Sequence, residues 1–119
     1  MSEQVEWKRV PEASAIGKNW LKEKEVREVK IESRTVCIGR TNNGYFAVQN
    51  KCPHAGGSLG KGWCNAHGQV VCPVHQYKFD MKTGRHFGEG LYKLKTYPLK
   101  WENDELLIGM PSDNPFSFF

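Results

Sequence analysis

The chain has 119 residues, of which 39% are hydrophobic and 25% charged, enough for one core and too few for a second large domain. Its net charge of +4 is spread without a dense basic stripe, which argues against nucleic acid as a partner. No apolar run approaches the roughly 18 residues that a membrane-spanning helix needs.

Residues 1–119 therefore read as a single domain. The start, Met1-Ser2-Glu3-Gln4-Val5-Glu6, is polar and acidic and carries no export signal, so the expected location is cytoplasmic. Twelve glycines and six prolines favour short strands and tight turns over long helices. Trp7 to Val10 reads as an opening strand. Pro11 to Trp20 reads as a loop, or as one helical turn after the proline. Lys22 to Arg27 is a solvated run of mixed charge, and the segment from Val26 to Glu32 alternates as a strand does. Thr35 to Arg40 and Tyr45 to Gln49 are predicted strands, joined at Asn42-Asn43-Gly44, where positive φ is accepted. From Lys51 to Gly90, short apolar pieces (Gln69-Val70-Val71 and Tyr77-Lys78-Phe79) alternate with glycine-rich turns. Strand character resumes over Tyr92 to Leu99 and Glu105 to Ile108, with Asn103-Asp104 as a turn. The expected fold is all-β, with a loop-rich subdomain at about 50–90 inserted in a base formed by 1–49 and 91–119.

Four cysteines in a reducing compartment suggest metal ligation or free thiols before disulfides. Cys37 lies in the apolar run Thr35-Val36-Cys37-Ile38 and reads as a small buried hydrophobe. Cys52-Pro53-His54 and Cys72-Pro73-Val74-His75 are different. They form C-x-H, then 17 residues, then C-x-x-H, so each half offers one thiolate and one imidazole. Pro53 and Pro73 stiffen the two turns, and Gly56-Gly57 lets the first bend tightly. Zinc accepts the same four ligands, but structural zinc loops pair like with like, as C-x-x-C and H-x3-5-H.

The pattern resembles the Rieske ferredoxin family. The likeness covers Asn50 to Phe87 in detail, including Cys72-Pro73-Val74-His75-Gln76-Tyr77-Lys78-Phe79-Asp80 and Thr83-Gly84. It implies a Rieske-like antiparallel β sandwich or barrel base, a cluster-binding subdomain, and one 2Fe–2S cluster held by Cys52, His54, Cys72 and His75. Cys52 and Cys72 would hold the inner iron, and His54 and His75 the outer. Two neutral imidazoles in place of thiolates leave the cluster about one unit negative when reduced and raise its potential above that of an all-cysteine centre. The family most often has glycine where Gln76 stands. The cysteines of the inter-loop disulfide found in respiratory members would fall at Gly57 and Val74, so that bridge is absent here. The sulfur-directed hydroxyls of those members would fall at Tyr77 and Phe79, and phenylalanine cannot donate. Fewer donors imply a low potential, toward the roughly −150 mV end of the Rieske range.

Several other residues carry weaker signals. His67 reads as a surface turn residue. His86, in the loop through Gly88 and Gly90, reads as a neighbour of the cluster, not a ligand. Trp63 is expected beneath the loops. Lys51, Lys61, Lys78, Lys82 and Arg85, against Asp80 alone between 51 and 86, make a basic tip if this segment forms one. The aromatic tail Pro115-Phe116-Ser117-Phe118-Phe119 is expected to pack on the base or dock a partner.

No nucleophile–base pair, phosphate loop or dinucleotide fingerprint accompanies these residues. The expected function is electron transfer: a soluble one-electron carrier working between a flavin reductase and an oxygenase or similar acceptor. The alternatives are a small subunit of NAD(P)H-dependent nitrite reductase and a zinc-stabilised interaction module.

Overall fold

Three antiparallel sheets lie in layers in the computed structural model, which describes residues 5–53, 56–74, 76–87 and 92–111. The strands in chain order are β1 (Val5–Arg9), β2 (Val26–Ile31), β3 (Arg34–Thr41), β4 (Gly44–Gln49), β5 (Trp63–Cys64), β6 (Gln69–Val71), β7 (Lys78–Asp80), β8 (His86–Phe87), β9 (Thr96–Tyr97), β10 (Leu99–Glu102) and β11 (Glu105–Pro111). One helix, α1 (Pro11–Ile16), follows β1. The sheets run β1-β11-β10, β2-β3-β4-β9 and β5-β6-β7-β8. The third sheet is built wholly from chain lying between β4 and β9.

The middle sheet separates two cores, and β3 shows why its sequence is apolar at successive positions. Val36 and Ile38 point into a core shared with the outer base sheet, alongside Leu106 and Ile108. Cys37, between them, points the other way into a core shared with the third sheet, alongside Leu59 and Phe79. Strand side chains alternate faces, so a strand covered on both sides must be apolar at odd and even positions alike. In β4, Ala47 and Val48 divide between the two cores in the same way. Each fully buried large side chain, Phe79 or Leu59 for example, contributes about 1.5–3 kcal/mol relative to exposure.

The helical reading of the segment after Pro11 holds for six residues, with Pro11 in the first turn. The helix stops at Gly17 (φ 97°), whose N–H donates to the Ala13 carbonyl at 2.7 Å. Two turns match their chemistry. Gly44 carries the positive φ (119°) of the β3–β4 hairpin. Asn103 and Asp104, at φ 52° and 65°, form the two-residue turn between β10 and β11.

The single strand expected over Tyr92 to Leu99 is instead divided. Lys93 makes one bridge to Arg85, β9 pairs with β4, and β10 belongs to the other base sheet. Pro98 is the reason. It cannot donate to a ladder, and its carbonyl accepts the Gly109 N–H at 2.8 Å, so the chain changes sheets there. A Cβ on Gly109 would stand 2.7 Å from the Pro98 ring, so glycine is needed at that corner.

Candidate metal centre

Two loops leave the strand ends on the third-layer side of the molecule, one after β4 and one after β6. They close by the same hydrogen bonds. The Cys52 N–H donates to the Gly57 carbonyl at 2.9 Å, and the Gly56 N–H returns to the Cys52 carbonyl at 2.8 Å. In the second loop, the Cys72 N–H donates to the Tyr77 carbonyl at 2.8 Å, and the Gln76 N–H returns to the Cys72 carbonyl at 2.8 Å. The fourth residue after each cysteine is left-handed, Gly56 at φ 73° and Gln76 at φ 58°. Gln76 thus holds the turn that glycine would make, without glycine's freedom. Its N–H and that of Gly56 close their loops.

The loops lean on each other. A Cβ placed on Gly57 would stand 2.5 Å from Val74 Cγ2 and 3.3 Å from Cys72 Sγ. Only a bare backbone closes over the second thiol. Both cysteines are buried, Cys52 at 1% exposure and Cys72 at 0%, in the core that also holds Leu59 and Phe79. Two soft thiols are thus enclosed under paired loops, while Gly56, Pro73 and Val74 around them face solvent. This donor set and this cradle fit an iron–sulfur group reached from the surface. His54 and His75, with Ala55, lie outside the described residues. So do residues 88–91 and the aromatic tail.

The first loop is tied to the base by residues that carried no motif. The Asn50 carbonyl accepts the Leu59 N–H at 2.7 Å, and Asn50 Oδ1 accepts the Gly60 N–H at 2.8 Å. Asn50 Nδ2 and Ser58 Oγ both donate to Glu28 Oε2 on β2, at 3.1 and 2.5 Å. The Ser58 hydroxyl, followed by Asn50, holds the Glu28 carboxyl below the usual carboxylate range. Gly60 lies against the β2 backbone, where a Cβ would come within 2.6 Å of Glu28 Cα. Nothing in the spacing of Glu28, Asn50 and Ser58 pointed to this link, because it joins residues 30 positions apart.

The second loop rests on the third sheet. Phe79 on β7 is fully buried, and the His86 ring lies 5.1 Å from it, 5.7 Å from Tyr77 and 6.3 Å from Tyr92. His86 thus packs among aromatic rings next to the loop. His67 is exposed on the turn between β5 and β6, as read. Trp63 is not beneath the loops. It pairs with Val71 on the edge strand β5 and is 45% exposed, the space below being filled by Leu59 and Phe79. Cys37 and Cys64 are buried. Burial raises the Cys37 thiol far above its ordinary range and pushes Cys64 up to about 12, so both remain protonated hydrophobes.

A family model described as the Rieske [2Fe-2S] domain matches residues 7–98. The ferredoxin component of the naphthalene 1,2-dioxygenase/salicylate 5-hydroxylase systems of a Ralstonia species is 30% identical over 89 residues, covering 74% of this chain and 85% of that protein. Among solved structures, the ferredoxin of carbazole 1,9a-dioxygenase from Nocardioides aromaticivorans IC177 superposes with a TM-score of 0.74 at 22% identity, over 92% of this chain and all of that one. A Mycobacterium tuberculosis protein assigned as the small subunit of an NADH-dependent nitrite reductase gives a TM-score of 0.77 at 16% identity, over 92% of this chain and 99% of that one. Among the described residues, no helix is long and apolar enough to cross a membrane.

Proposed function

Because the chain belongs to the Rieske [2Fe-2S] domain family, we propose that Cys52, His54, Cys72 and His75 hold its cluster and that it carries single electrons from a reductase to a terminal acceptor of the oxygenase type. When bound, a [2Fe–2S] centre supplies a one-electron couple tuned by its ligands and their surroundings. The observation that carries the reading is the mirrored pair of loops, each burying one cysteine behind the same two backbone hydrogen bonds.

The chain's own residues then have defined tasks. Cys52 and Cys72 keep their sulfurs out of water and set in the core. Gly57 lets the two loops close without a disulfide. Phe79 presents hydrocarbon where a hydroxyl would donate, which supports a low potential, toward the roughly −150 mV end of the Rieske range. The 30% identity to an oxygenase-system ferredoxin favours that class of acceptor over nitrite reductase, whose small subunit shares the fold. In the same reading, residues 1–119 form one domain, the subdomain at about 50–90 rides on the base, and the thiol-rich site works in the reducing cytoplasm.

The test is a dye-mediated redox titration of the reconstituted protein. One electron should enter reversibly at low potential, and a midpoint above about +100 mV would overturn the low-potential reading. His54→Cys or His75→Cys, with the cluster retained, should lower the midpoint by adding negative charge. An unchanged midpoint would contradict the ligand assignment.

A further inference from the structure

The charge of this protein is unevenly placed. Of its 17 lysines and arginines and 13 acidic residues, seven of the former and only two of the latter lie between positions 51 and 95. That segment therefore carries the whole positive excess. On the base, Lys8, Arg9, Arg27 and Lys100 are each paired with a glutamate, while among the described residues Lys18, Lys24 and Lys30 make no salt bridge. Around the loops, Lys51, Lys61 and Lys78 are exposed and make no salt bridge among the described residues, although Lys61 stands within electrostatic reach of Glu28. Asp80 accepts the Lys82 and Thr83 N–H groups of its own turn on Oδ1, at 2.8 and 2.9 Å.

Apolar side chains are exposed on the same segment. Trp63 is 45% exposed and Val74 51% exposed. Val74 sits against Gly57, between the two loops. Trp63 and Lys78 flank Val71, the residue before Cys72, in one row across the third sheet, so their side chains share a face about 10 Å apart. An apolar centre with charges at its edge is the anatomy of a protein docking surface. An excess of charges of one sign steers encounter with the opposite sign.

Resting on the carrier reading above, we propose that the loop face bearing Trp63 and Val74, rimmed by Lys51, Lys61 and Lys78, docks a carboxylate-rich face of the protein that exchanges electrons with it.

Stopped-flow oxidation of the reduced, cluster-loaded protein reads the sign of this surface. Hexacyanoferrate(III), an anion, and hexaamminecobalt(III), a cation, each take one electron. As salt shortens the Debye length from about 30 to about 8 Å, the anion's rate should fall and the cation's should rise. Lys61→Glu/Lys78→Glu should slow the anion about tenfold at low salt. Lys18→Glu/Lys100→Glu, which changes net charge equally but lies on the base, should slow it less than about twofold. Trp63→Ala should leave the small anion's rate unchanged and slow oxidation by a small acidic cytochrome. The opposite salt dependence in the unmodified protein, or equal effects of tip and base reversals, would overturn the proposal. So would binding to phosphatidylserine vesicles at physiological salt, which would make the surface a lipid site. A chain that takes up no cluster fails the carrier reading itself, before any rate is read, and the docking proposal falls with it.

Discussion

Replacing Gly57 by alanine isolates the contact between the two loops. Gly57 does not have a positive φ, so alanine can adopt its backbone, and the cost is purely steric. The added methyl would stand 2.5 Å from Val74 Cγ2 and 3.3 Å from Cys72 Sγ. Overpacking of this kind costs about 1–3 kcal/mol, here through parting of the loops. Val74→Ala removes the nearer obstacle and leaves Val74 Cβ at 3.6 Å, an ordinary contact, and Cys72 Sγ at 3.3 Å. Val74 is half-exposed, so its own truncation should cost about 0.5 kcal/mol or less. The double variant Gly57→Ala/Val74→Ala should regain about 1–2 kcal/mol of the loss, with the Cys72 contact as the residue. Denaturant unfolding of the reconstituted protein, with iron counted per chain, measures both stability and cluster retention. Gly56→Ala is the control, because nothing lies within 4 Å of its added methyl and only its φ of 73° is strained, at about 1–2 kcal/mol. A double variant no better than Gly57→Ala alone would refute the loop–loop contact as the cause.

Three further outcomes follow from named residues. At the left-handed Gln76 (φ 58°), Gln76→Gly should match or exceed the native stability by up to about 1 kcal/mol, whereas Gln76→Val should lose about 2, read by thermal unfolding. Cys37→Ser, which buries a hydroxyl in a fully enclosed site, should cost about 1–3 kcal/mol yet keep two irons per chain, while Cys72→Ala should lose them; iron analysis separates structural cysteine from ligand. Glu28 is held ionised by Ser58 and Asn50, so its folded-state pKa lies below the unfolded value. Its contribution is present above about pH 4.5 and lost as pH falls through the lower folded value. Glu28→Gln should therefore weaken first-loop anchoring at neutral pH and flatten the acid limb of cluster loss followed by visible absorbance.

The sequence was most legible where local chemistry decides structure. The hairpin turns at Asn103-Asp104 and Gly44 fall where read, because tolerance of positive φ acts over a few residues. Cys52 and Cys72 stood out because a paired Cys/His spacing has few uses, and the structure buries both under the two loops. Long-range features were not visible. The break at Pro98 depends on Gly109 in another strand, and the Glu28–Ser58 tie spans 30 residues. Trp63 is expected beneath the loops, but the buried core there holds Leu59 and Phe79 and the indole stays half-exposed at the sheet edge. Gln76, in a position where glycine would be expected, keeps the turn because the same two hydrogen bonds that close the first loop close the second.

Nitrogen hyperfine spectroscopy of the dithionite-reduced protein, with iron and zinc counted on the same sample, bears most directly on the paired-loop site. Two irons per chain and couplings from two distinct imidazole nitrogens are expected, one disappearing in His54→Cys and the other in His75→Cys. A colourless protein with stoichiometric zinc, or an iron centre without nitrogen couplings, would contradict a Rieske cluster held by these four residues.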